Sequence, residues 1–235
     1  MDDISTGCES LDKVLRGGIP LGKITLIYGA PSTGKTTLAM KVVLNYLNSE
    51  CKVPHLHNRA LYIDSDKKFS LERFSQIVGT SIKEVLERLL IFMPKNFVEQ
   101  TRVIEGLDSF TSRDIRLIVL DTITSLYRER IANTGKIFPV NRELNRQLAH
   151  LKEYAESKGL GILLLSQVYS SLQPNTLPME PVSSRLLRYW SDIILRLDLN
   201  HQPGVRTASL EKPRKDNIRC RFKLAPLGII DMGFL

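Results

Sequence analysis

Short apolar runs alternate along the chain with longer stretches whose apolar positions recur every three or four residues. Residues 24–28, 60–64, 117–121 and 161–166 are runs of the first kind, and they predict buried strands. Residues 117–121 are apolar on both faces, as a strand inside a parallel sheet requires. Residues 36–48 carry a helical pattern. Leu144, Leu148, Leu151 and Ala155 do so too, ahead of Gly159, a helix stop. Ser81 with Glu84 three residues later has the form of a capping box, which predicts a helix from there to about residue 90. Strands alternating with helices imply βαβ units in an α/β fold, a mostly parallel central sheet flanked by helices. Residues 192–197, 205–210 and 218–224 are shorter strand candidates and predict an antiparallel C-terminal extension of that sheet. Two polar stretches break the rhythm and predict long loops: residues 128–140, containing Asn133-Thr134-Gly135, and residues 170–184, containing Pro174, Pro178 and Pro181. No Gly/Ser linker divides the chain, so one domain over residues 1–235 is expected.

Composition narrows the class. A hydrophobic fraction of 43% in 235 residues is enough for a sizeable core. Apolar runs such as residues 162–165 are far too short to cross a bilayer, and the start Met1-Asp2-Asp3-Ile4 is not that of a signal peptide. Cys8, Cys51 and Cys220 are odd in number and far apart, which points to a reducing compartment and a cytoplasmic location. Cys51, His55 and His57 lie close together, yet no second pair completes a zinc site. The net charge is +8, and residues 185–223 hold ten basic residues against four acids. Such a concentration favours a phosphate backbone through counterion release, although a solvated basic face has the same composition.

The chemistry begins after the first strand. Gly29-Ala30-Pro31-Ser32-Thr33-Gly34-Lys35-Thr36 matches the phosphate-binding P-loop pattern in full. Its glycines allow a turn sharp enough for several N–H groups to converge on phosphate oxygens. Lys35 adds a point charge, the Thr36 hydroxyl can take Mg2+, and the following helix presents its positive end. A strand before and a helix after are the required context, and ATP is the expected ligand. The run Leu117-Ile118-Val119-Leu120-Asp121 has the Walker B form, which places Asp121 near the metal. Asp64 and Asp66, after the second strand, are candidates to orient the attacking water; their other role is to cap the turn ahead of Phe69 and Ser70. Trp190 beside Tyr189 offers either a stacking platform for a base or ordinary packing.

Ser5-Thr6-Gly7 with Leu11-Asp12, then Gly17-Gly18-Ile19 and the P-loop, resembles the opening of the RecA/RadA ATPase core. Tyr62-Ile63-Asp64-Ser65-Asp66 with Phe69, Glu72 and Arg73 resembles that group's second-strand motif, and Ser166-Gln167-Val168 its fourth-strand motif. The resemblance spans nearly the whole chain and points toward the archaeal RadB proteins, short paralogues of the recombinase RadA. It implies a RecA-like fold binding ATP through Gly29, Ala30, Pro31, Ser32, Thr33, Gly34, Lys35, Thr36 and Thr37, with Arg73 stacked on the adenine. It implies Mg2+ on Thr36 and Asp121, and roles in turnover for Lys35, Asp66 and Gln167, the last sensing the γ-phosphate. The two loops would contact DNA, the first through Arg128, Arg130 and Lys136. Lys212, Arg214 and Lys215 fall where the group reaches a neighbour's ATP, or else hold DNA phosphates.

Three departures shape the expected function. The group's catalytic Glu is Asp66 here, one methylene shorter, which implies slow hydrolysis. Few residues precede the first motif, so the extra domain and tether that drive polymerisation are expected to be absent, leaving at most a weak homo-oligomer. Residues 170–184 carry Glu180 and no Lys or Arg. The expected function is an ATP- and DNA-binding accessory of homologous recombination and DNA repair that modulates a RadA-type recombinase. Its expected partners are single-stranded DNA more than duplex, the recombinase, a Holliday-junction resolvase as a further candidate, and no membrane. The rival is a KaiC-like regulatory ATPase acting through protein partners without DNA. A metabolic kinase is disfavoured, because no lid-like arginine cluster is present.

Overall fold

A computed structural model describes residues 3–50, 57–78, 82–110, 114–168, 182–213 and 218–234. The first half runs α1 (Glu9–Leu15), β1 (Lys23–Gly29), α2 (Lys35–Asn48), β2 (Arg59–Asp64), α3 (Leu71–Val78), α4 (Ile82–Leu86), β3 (Leu89–Phe92), α5 (Phe97–Glu105) and α6 (Leu107–Phe110). The second runs β4 (Ile115–Asp121), α7 (Ser125–Thr134), α8 (Ile137–Lys158), β5 (Gly161–Gln167), α9 (Ser184–Trp190), β6 (Ile193–Leu199), β7 (Val205–Lys212), β8 (Arg219–Ala225) and β9 (Gly228–Phe234). The strands form one sheet in the order β3-β2-β4-β5-β1-β6-β7-β8-β9.

Alternation along the strands builds two cores. Leu117 and Val119 of β4 face the layer of α1, α2 and α3, with Leu38, Val42 and Phe74. Ile118 and Leu120 face the opposite layer of α5, α7 and α8, with Leu144, Leu148 and Leu151. Strands covered on both faces have no polar side to show, which is why these runs are continuously apolar. β3, β2, β4, β5, β1 and β6 are mutually parallel, so their C-terminal ends share one rim. In open sheets of this kind ligands settle on that rim.

The helix ends behave as their residues require. Gly159, at φ 66°, closes α8 by donating to the Ala155 carbonyl, the left-handed stop that costs glycine nothing. The N-terminal motif is a structural clasp. Asp12 accepts from the Thr6 amide at 2.7 Å and the Thr6 hydroxyl at 2.6 Å. A Cβ on Gly18 would lie 2.2 Å from the Ile4 carbonyl oxygen, so glycine lets Ile19 bridge to Ile4.

Four expectations are corrected. Residues 128–140 are not a long loop: α7 continues to Thr134, Gly135 at φ 64° ends it, and α8 starts at Ile137. The polar exterior hides an inner face, since Tyr127 and Val140 are buried against α5 and Leu144. The helix expected to reach residue 90 stops at Leu86, and Leu89–Phe92 pairs with β2 as an edge strand. Sheet pairing overrides the local helical pattern there. Third, β6 is parallel to β1, so the antiparallel extension begins at β7 and includes β9, which was not anticipated. Finally, α1, α5, α6 and α9 were not anticipated either. Ser81, Cys51, His55, residues 170–181, Arg214 and Lys215 lie outside the described residues.

Candidate functional site

The P-loop leaves the end of β1 and turns into α2. Ser32 and Gly34 take left-handed conformations, φ 63° and 91°. Gly29 has no room for a side chain: a Cβ would stand 2.3 Å from the Leu197 carbonyl oxygen. Thr33 is buried and donates to the Ala30 carbonyl at 2.9 Å. Lys35 curls back across the loop, donating to the carbonyls of Gly29 at 2.9 Å and Ala30 at 2.8 Å. Burial pulls its ammonium down to about 8, against the upward pull of Asp121 and Asp66 and with Lys68 adding to the fall. No side chain caps α2, so its first N–H groups are available to an anion.

Carboxylates at the ends of β4 and β2, beyond the intervening β5, face this lysine. Asp121, at the end of β4, is almost fully buried and accepts from the Tyr62 hydroxyl at 2.7 Å and from the Thr36 side chain. Burial pushes its carboxyl up; the Tyr62 and Thr36 bonds oppose the rise, while Asp66 and Asp64 reinforce it. Tyr62 is itself raised well above its ordinary value, first by burial and then by Asp121. Thr122, next to Asp121, has a buried hydroxyl with no hydrogen-bond partner among the described residues. A raised acid beside a depressed lysine, with an orphaned hydroxyl, suits a charged guest carrying a divalent cation.

Asp64 and Asp66 divide their work. Asp64 is fully buried and accepts from the amides of Lys68 at 3.2 Å and Phe69 at 2.7 Å, which is the capping role. Asp66 points into the site, where Lys68 Nζ lies at 3.0 Å and Gln167 Nε2 at 3.2 Å from its Oδ2. Gln167 accepts in turn from Arg128 at 3.3 Å. Behind Ser65 stands a fully bonded buried network: Ser65 donates to Gln100, Gln100 to Gln147, and Gln147 to Thr101, at 2.7, 2.8 and 2.7 Å.

The antiparallel strands wall the loop on its outer side. Arg206 of β7 donates to the Ser32 carbonyl at 2.9 and 3.2 Å. Leu224 of β8 covers Gly34, where a Cβ would lie 2.7 Å from its Cδ2. Arg73 of α3 donates to the carbonyls of Ala225 at 2.8 Å and Pro226 at 2.6 Å, tying the β8–β9 turn beside the loop. Arg206, Leu224, Tyr62 and Lys68 were not foreseen as site residues. Arg206 and Leu224 could not be, because no local pattern marks a residue that reaches back about 170 or 190 positions along the chain.

The Rad51 family model matches residues 1–232. The DNA repair and recombination protein RadB of Thermococcus kodakarensis is 34% identical over 234 residues, 97% of this chain and 99% of that one. The chain belongs to the Rad51 family, in its RadB branch. The RadB protein of Methanosphaera stadtmanae is 32% identical over 226 residues, 94% of this chain and 93% of that one. A crystal structure described as that of the RadB recombinase matches with a TM-score of 0.80 at 32% identity, covering 97% of this chain and 99% of the other.

In this RadB-branch chain the candidate DNA residues scatter. Arg128, Arg130 and Lys136 are exposed on α7 and at its junction with α8. Lys212 is tied inward, donating to the Arg188 carbonyl at 3.1 Å and the Ser191 carbonyl at 2.6 Å at the end of α9. Arg188 pairs with Glu211 at 2.9 Å, and Arg196 with Asp198 at 2.9 Å. Much of the basic tail is thus spent inside the RadB-branch sheet, which the charge count alone hides. Trp190 donates to Asn145 at 2.9 Å and meets Tyr189 edge to face, while Tyr189 itself is largely exposed. His57 is exposed. No helix among the described residues is long and apolar enough to cross a membrane.

Proposed function

We propose that this chain binds ATP with Mg2+ on the Gly29–Thr36 loop, hydrolyses it slowly, contacts single-stranded DNA, and modulates a RadA-type recombinase in recombination and repair. One observation carries the reading: Lys35, Asp121 and Asp66, from three chain segments, face one another at the strand ends. Its relatives are named for DNA repair and recombination, which supports the biological setting.

Each side chain has a task in this reading. Lys35 exchanges its carbonyl partners for phosphate oxygens, and the raised loop amides around Ser32 and Gly34 complete the cradle. Thr36 and Asp121 hold the metal, whose charge, when bound, neutralises the phosphates. Tyr62 keeps Asp121 oriented, and Arg73, held in place by the Ala225 and Pro226 carbonyls, stacks on the adenine. Asp66 orients water, with a reach one methylene short of the family's Glu, and Gln167 links that acid to Arg128 on α7. Arg128 and Lys136, with Arg214 and Lys215, meet DNA phosphates.

Titration of a fluorescent ATP analogue with and without Mg2+, on wild type and Lys35→Ala, tests the first half. Affinity that survives the substitution sinks it. Anisotropy with single-stranded DNA at two salt concentrations, with and without ATP, tests the second. The internal engagement of Arg188, Arg196 and Lys212 favours the regulatory ATPase as the second reading, and nucleotide binding without any DNA binding would select it.

A further inference from the structure

Away from the phosphate loop, a groove runs between α5 and the α7–α8 junction and encloses a cavity of about 420 Å3. Phe97 and Val98 of α5 and Pro139 and Val140 of α8 form its apolar walls; Arg102 and Arg130 line it from α5 and α7. Thr101 in its floor is locked by the buried Gln100–Gln147 network, so the groove is preformed. Beside it, Ile137 and Phe138 open α8. Phe138 is 88% exposed, the most exposed large apolar side chain among the described residues, and Val98 is 45% exposed. One such residue means little, but several gathered around a cavity mark a contact surface.

Charge decides what fits. Glu105 and Glu143 also line the groove and share one cation, Arg146, at 3.1 and 2.9 Å, so the pair keeps a negative charge. No ion pair of Arg102 or Arg130 is found among the described residues, and these two guanidinium groups leave the groove positive on balance, three arginines against two glutamates. A continuous phosphate backbone would run against Glu105 and Glu143. A peptide can place single carboxylates on the two arginines and drop an apolar side chain into the cavity between them. We propose that this groove docks an acidic segment of a partner protein, anchored by one apolar side chain between Val98 and Val140 and by carboxylates on Arg102 and Arg130.

The full chain is panned against a displayed library of short random peptides, and selected peptides are titrated by fluorescence anisotropy. Selected sequences are expected to set Asp or Glu around a Leu, Ile or Phe. Val98→Asp and Arg102→Glu are each expected to weaken them about tenfold. Both side chains are exposed, so thermal melts should match wild type, and single-stranded oligonucleotide affinity should be unchanged in Arg102→Glu. No selected peptide, selection of basic or uncharged ones, or unchanged peptide affinity in either variant overturns the proposal. So does a loss of oligonucleotide binding in Arg102→Glu equal to the loss of peptide binding, which would make the groove a nucleic-acid site.

Discussion

Gln167 Nε2 donates to Asp66 Oδ2 at 3.2 Å while its Oε1 accepts from Arg128 at 3.3 Å. One amide therefore joins the acid at the end of β2 to an exposed cation on α7. If Asp66 orients water but falls short, Asp66→Glu should raise ATP turnover by about tenfold. Asp66→Ala should lower it further. Phosphate release under saturating ATP reads both, and a slower Glu variant would remove Asp66 from that role.

The exposed and engaged cations should separate in DNA titrations. Arg128→Ala and Lys136→Ala should each reduce the dependence of log affinity on log salt by roughly 0.7. Lys212→Ala should leave that slope alone and cost about 1 kcal/mol of stability, because its ammonium caps the carbonyl end of α9. A flattened slope with unchanged stability in Lys212→Ala would put this lysine on the DNA.

Burial holds Lys35 at about 8, below its ordinary 10.5. Between those values the unfolded chain binds the proton and the folded one does not, so stability should rise with pH from about 8 to 10.5. The gain should be at most about 3 kcal/mol and absent in Lys35→Met. Nucleotide affinity should run the other way, falling above about pH 8 as the ammonium loses its charge. Melting curves and binding titrations across pH 7 to 10 (roughly the accessible alkaline range) check both.

Tyr62→Phe removes a buried donor from a buried carboxylate and should cost about 1–3 kcal/mol at neutral pH. Asp121 takes up its proton above its ordinary value of 3.8 in the folded state. The cost should therefore shrink as pH falls and the carboxyl becomes neutral. Denaturant unfolding at pH 7 and in acid compares the two; a cost independent of pH would mean that the Tyr62 hydroxyl serves packing alone.

Arg206 holds the Ser32 carbonyl, and with it the left-handed turn of the loop. Arg206→Ala should weaken ATP binding about fivefold, a loss of one modest hydrogen-bonded contact, while leaving the melting temperature unchanged. Equal affinity in the variant would show that the loop keeps its shape without β7.

Local chemistry wrote much of this molecule plainly. A P-loop must sit between a strand and a helix, and residues 29–36 do. A strand covered on both faces must be apolar throughout, and residues 117–120 are, ending on Asp121 at the rim of the sheet. These features were legible because their physical requirements are met within a few consecutive residues. The helices at 125–134 and 97–105 were not legible, because their apolar positions are few and acquire meaning only against α8.

The tertiary structure alone decided which charges are free. Composition counted Lys212, Arg188 and Arg196 as a basic tail, but folding set them against carbonyls and carboxylates that lie from two to more than twenty positions away in the chain. It also brought Arg206 and Leu224 onto a loop about 170 and 190 residues earlier, and set Arg102 and Arg130 along one groove. Sequence specifies what each residue can do over the span of one turn or strand. Which groups meet, and which are left without partners, depends on pairing across the sheet, where separation along the chain carries no information.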